Sequence, residues 1–95
     1  MVEYLKYNKE KLPIKVGFYA LKHFQKETGK NMADLDGDLT FEDIECLFYH
    51  SYVNGCKAAE GFTVKYGRDD METLLDDLYM DFIQVMPKFF ATKKK

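Results

Sequence analysis

Midway through residues 12–29, LPIKVGFYALKHFQKETG, the hydrophobic period switches from strand-like to helical, and nothing else constrains the fold as strongly. Leu12, Ile14 and Val16 alternate with Pro13 and Lys15, as in a strand with one buried face. After Gly17, the residues Phe18, Leu21 and Phe24 recur at helical spacing with Ala20 beside them. Lys22, His23, Gln25, Lys26 and Glu27 fall mostly on the other face. Gly29 stands where a helix ends in the left-handed conformation that glycine enters without steric cost. Lys26 and Lys30 lie near the carbonyl end of that helix, where cations are favoured.

Upstream, residues 2–7 alternate loosely and residues 8–11 form a polar turn, so residues 2–16 read as a β-hairpin. Pro13 removes a ladder donor, which places its strand at an edge or turns position 13 away from its partner. Two strands alone are marginal and must lean on helices. Downstream, Thr40 is placed to cap a helix, with Asp43 at the third position and Glu42 beside it. That helix covers residues 41–53 and buries Ile44, Leu47, Phe48 and Tyr52. Asn54-Gly55 is a plausible stop and Gly61 a firmer one. Residues 62–66 fit either a short strand or the start of a helix capped by Thr63. Gly67-Arg68-Asp69-Asp70 is a turn, with Asp69 or Asp70 capping a helix that begins at Met71. Asp76-Asp77 is a candidate break in this last helix, and Pro87 brings a kink or a stop. The expected class is α+β and mainly helical: a hairpin followed by three to four helices, one domain over residues 1–91, and a frayed basic tail at 92–95.

Charge is unevenly distributed. Residues 1–30 hold seven Lys against three Glu, for +4. Residues 31–81 hold three cations against thirteen acids, for −10, and residues 82–95 hold four Lys and no acid. An acidic middle argues against a nucleic-acid-binding body. The N-terminal residues are polar and charged, without the apolar stretch of a signal peptide, and no run approaches the ~20 apolar residues of a membrane span. A cytoplasmic protein is expected. Eight Phe and seven Tyr are many rings for a 95-residue core, which favours a partner interface.

Site chemistry is sparse. Cys46 and Cys56 would lie ~15 Å apart along one helix, too far for a disulfide, and lack zinc-finger spacing. Their simplest role is as small buried residues. Asp34, Asp36, Asp38 and Glu45 occupy positions 1, 3, 5 and 12 of an EF-hand-like calcium loop, but Leu39 sits where the turn glycine belongs. The alternative register would need Met32 as first ligand and Asp43 as twelfth, so an acidic turn before a capped helix is the simpler reading. His23 and His50 have no acid at ligand spacing. Cys46 and His50, four residues apart, can face each other on a helix, but sequence supplies no third group to orient them. No phosphate-binding glycine loop is present, so neither an enzyme nor a cofactor is expected.

The richest feature is the C-terminal apolar stripe. Leu78, Tyr79, Phe82, Ile83, Met86, Phe89 and Phe90 are the candidate partner-binding residues, since Met and Phe suit a surface that accepts varied apolar ligands. Changing Phe82 and Phe89 to Ser distinguishes the roles: a retained fold means surface, a lost fold means core.

The order of a strand, Gly-Phe-Tyr-Ala-Leu-Lys-His-Phe, Glu-Thr-Gly-Lys, an acidic loop, a capped Leu-Thr-Phe-Glu-Asp-Ile-Glu helix, Gly-Phe-Thr-Val and a final helix containing Leu-Leu-Asp-Asp resembles the small phage tail assembly chaperones of siphophages and prophages. The resemblance spans residues 12–91; the stretch 66–70 departs from it. It implies a mainly helical, self-associating protein that coats the apolar helices of a tape measure protein and recruits tail tube subunits. A chain of this length corresponds to the short form of that family. The alternative is a small acidic-loop, calcium-dependent interaction module, for which calcium would raise the melting temperature.

Overall fold

The computed structural model describes residues 2–30 and 39–89. An antiparallel hairpin of β1 (Glu3–Tyr7) and β2 (Glu10–Ile14) leads into α1 (Phe18–Thr28), α2 (Phe41–Ala58) and α3 (Met71–Val85). Short 3-10 turns at Arg68–Asp70 and Met86–Phe89 flank α3. The expected α+β, mainly helical class is the observed one. Phe90, the acidic residues 34–38 and the tail at 92–95 lie outside the described residues.

Asn8 and Lys9 both have positive φ, 50° and 66°, so the hairpin closes through a two-residue type I′ turn. The register pairs Leu5 with Leu12 and Tyr4 with Pro13. Counting from the Tyr7–Glu10 pair that closes the turn, Pro13 falls at a non-hydrogen-bonded position. Its nitrogen therefore faces the open edge, where α2 lies. There the Lys15 amide donates to Ser51 O at 3.0 Å, and Asn54 Nδ2 donates to Lys15 O at 3.0 Å. Proline leaves no orphan donor against the helix, and α2 covers the edge that a two-stranded sheet would otherwise expose. As a result Leu12, Pro13 and Ile14 are all buried, and the expected one-sided alternation is lost.

Gly55 permits this approach. A Cβ at Gly55 would run into the Pro13 carbonyl and the Ile14 amide. The Asn54-Gly55 pair is therefore not a helix stop but a docking point, and α2 continues to Ala58. The other α2 signals behave as expected: Thr40 Oγ1 accepts from Asp43 N at 3.1 Å, and the Asp43 carboxylate accepts from Thr40 N at 3.0 Å. Ile44, Leu47, Phe48 and Tyr52 are buried.

In α1 the buried pair is Ala20 and Phe24, with Leu21 partly covered. Phe18, expected on the buried face, is 83% exposed, because Ala20, about 200° around the helix from it, is the first-turn residue that faces the core. Gly29 closes the helix at φ 78°, its amide donating to Gln25 O at 2.8 Å. Residues 62–66 are neither strand nor helix: the Lys65 amide donates to the Tyr52 hydroxyl at 2.8 Å. The last helix starts at Met71 as expected and runs unbroken through Asp76-Asp77. It ends in a 3-10 turn around Pro87. Met71, Leu74, Leu78 and Phe82 form its buried stripe, and Phe82 meets Phe48 edge to face at 5.1 Å.

Candidate functional site

Two places on this scaffold combine accessible surface with distinctive chemistry. The first is a groove of about 390 Å³ between the start of α2 and the middle of α3. Ile44, Leu75, Phe41 and Tyr79 supply its apolar wall, and Glu42, Glu45, Glu72 and Asp76 supply acidic groups beside it. Thr40 sets where α2 begins and so sends Phe41 outward: that ring is 78% exposed and touches Tyr79 edge to face at 6.0 Å. Of the residues singled out as partner-binding, Tyr79 borders this groove. Ile83, Met86 and Phe89 are half-buried and pack against the core. Leu78 and Phe82 belong to the core itself, with Phe82 at 0% exposure. They offer a partner no surface in this conformation. Phe41, which is not among the residues singled out as partner-binding although its helix is a candidate wall of an apolar groove in the sequence, is the most exposed ring of the groove; its signal is an aromatic residue directly after the cap.

The second place is a polar knot centred on Glu27, near the end of α1. Its Oε2 lies 2.7 Å from His50 Nε2, and its Oε1 accepts from Arg68 Nη1 at 2.8 Å and from the Cys46 thiol at 3.3 Å. Sequence spacing offers His50 no acid; packing α1 along α2 provides one. Burial works to raise the Glu27 carboxyl, but the hydrogen bonds from Arg68, His50 and Cys46 outweigh it and hold the group at about 2. An ionised carboxylate only accepts, so Nε2 carries the proton in its contact with Glu27. His50 Nδ1 is buried without a hydrogen-bond partner among the described residues. His23 stacks on the His50 ring at 5.2 Å.

Cys46 and His50 do not form an activated nucleophile in this arrangement. The thiol donates to Glu27 rather than to the imidazole, and burial together with the facing carboxylate pushes it up to about 12. A thiolate is therefore scarce at neutral pH. Cys56 is a separate buried thiol that donates to Thr63 O at 3.7 Å. The calcium reading rests on residues 34–38, outside the described residues; Glu45 lies within α2. Among the described residues no helix is long and apolar enough to cross a membrane.

Compared with known protein families, curated proteins and solved structures, the chain matches none.

Proposed function

We propose that this protein is an assembly chaperone of the phage tail type. In this reading it holds an apolar helix of a tape measure protein against the α2–α3 groove and assists recruitment of tail tube subunits. The observation that carries the reading is the exposed Phe41 ring beside Tyr79, above an apolar wall. A groove of this size takes one or two large side chains from a helix laid across it, the usual helix-in-groove mode. The neighbouring carboxylates favour a client whose apolar ridge is flanked by Lys or Arg. Association between copies shields the same rings when no client is bound.

Co-expression with a tape measure protein tests this, scoring the client's soluble fraction and its co-purification. The variant to compare is Phe41→Ser with Tyr79→Ser, both outside the buried core. Its helical circular dichroism should match the wild type while the client becomes insoluble. A client that never co-purifies with the wild type, or that the double variant solubilises equally well, removes the groove from the mechanism.

A further inference from the structure

We propose that Glu27, Cys46 and His50 form a binding site for a zinc-like divalent ion. Their ligand atoms, one carboxylate oxygen, Sγ and a ring nitrogen, all lie within 4.8 Å of one another. Cys46 and His50 project from successive turns of α2, and Glu27 reaches them from α1. Both α2 residues are buried while Glu27 is exposed, so the site has a fixed wall and an open side. A polar cleft of about 380 Å³, lined in part by Glu27, Glu45, Cys46 and Arg68, gives an entry path. Mixed sulfur, nitrogen and oxygen donors select zinc or a similar borderline-soft ion over calcium or magnesium, which take oxygen ligands. Three protein ligands leave a fourth position to water.

The protons can be accounted for. Glu27 is already ionised. The Cys46 thiol releases its proton to solvent as the sulfur–metal bond forms. His50 moves its proton from Nε2 to Nδ1, the atom with no hydrogen-bond partner among the described residues. Arg68, which neutralises Glu27 when no ion is bound, must withdraw. It is 40% exposed and already lies over the Tyr49 ring at 5.6 Å, so it has somewhere to go. The inference is independent of the groove.

Cobalt(II) is the probe, added to the purified full-length protein under reducing conditions at slightly alkaline pH. The expected result is one equivalent bound, with tetrahedral visible bands and a sulfur-to-cobalt charge-transfer band, both bleached by zinc. Cys46→Ser should lose the charge-transfer band, Cys56→Ser should keep it, and Glu27→Gln should weaken binding. Arg68→Ala should tighten binding several-fold by removing the competing cation. No sulfur charge-transfer band in the wild type with excess cobalt overturns the site. So does a band that disappears in Cys56→Ser, or an affinity unchanged by Glu27→Gln. If Cys46→Ser fails to fold, the wild-type and Cys56→Ser spectra still decide which sulfur, if either, binds.

Discussion

At the scale of single residues, three positions carry consequences out of proportion to their size. Lys9 occupies φ 66° in the hairpin turn, where a non-glycine residue costs ~1–2 kcal/mol. Lys9→Gly creates the Asn-Gly pair that type I′ turns prefer. After allowing for glycine's greater unfolded-state entropy, a gain of about 0.5–1 kcal/mol is expected in chemical denaturation. Gly55 behaves in the opposite sense. Gly55→Ala improves helix propensity by ~1 kcal/mol, yet its methyl would overlap backbone atoms of Pro13 and Ile14. Backbone cannot rotate aside as a side chain can, so a net loss of about 2–3 kcal/mol is expected by the same measurement. Glu27 sets a pH dependence. Its carboxyl is held at about 2 in the folded chain against an ordinary 4.5, so the ionised form is favoured by folding. The resulting stabilisation is complete above about pH 4.5 and is lost as pH falls toward 2. Full linkage would give ~3.4 kcal/mol. The side chain is 41% exposed, and solvent screening reduces this to about 1–2 kcal/mol. Glu27→Gln should therefore melt below the wild type at pH 7, and the two curves should converge near pH 2. Asp43 is also lowered, by its hydrogen bond from Lys30, so the test is the difference between the two proteins and not the acid limb of either. None of these three environments was legible in sequence order. Lys9 looks like any polar turn residue, Gly55 looks like a stop, and Glu27 sits 19, 23 and 41 positions from its partners.

At the scale of elements, Asp70 does not cap α3 with its side chain, which instead accepts from Gly67 N in the preceding 3-10 turn, but other signals whose partner lies within one turn hold. The Thr40–Asp43 capping box fixed the start of α2, and Gly29 fixed the end of α1. Pro87 ended α3 in a 3-10 turn. Each depends on atoms three or four residues apart. Errors arose where an element's state depends on what packs against it. Helix α2 continues past Asn54-Gly55 because β2 docks there and Asn54 turns its amide to the Lys15 carbonyl. Phe18 has the helical spacing of a buried residue, but α1 turns Ala20 and Phe24 inward and leaves Phe18 in solvent. Residues 62–66 alternate like a strand but pair with no strand among the described residues; Tyr52 supplies a partner from its hydroxyl instead. The same distinction governs the sites. The Cys46–His50 pair was visible as an i, i+4 relation within one helix, whereas the carboxylate that joins it comes from a different one.

For the whole molecule, the central position of α2 decides which aromatic residues hold the fold and which remain available. It contacts α1, β2 and α3, so its inward rings meet those of α3 in the interior while Phe41, at its first turn, stays outside. Phe82 closes that interior against Phe48. Phe82→Ala should cost about 3–5 kcal/mol through lost transfer energy and an unfilled cavity. A domain of this size has only ~5–10 kcal/mol in total. Circular dichroism should show a sharply lowered melting temperature, and client binding would be lost together with structure. The sequence-based test that paired Phe82 with Phe89 therefore measures stability first. Phe41→Ala removes a ring that is mostly in solvent and should change stability by no more than about 0.5 kcal/mol. If client capture by the groove is correct, this small change should nonetheless weaken co-purification of the client. The comparison separates the two roles that aromatic excess can play in so small a chain. Equal loss of binding in both variants with unequal loss of stability places the client on the groove. Loss of binding only in Phe82→Ala means that the fold alone, and not the Phe41 surface, is what the client requires.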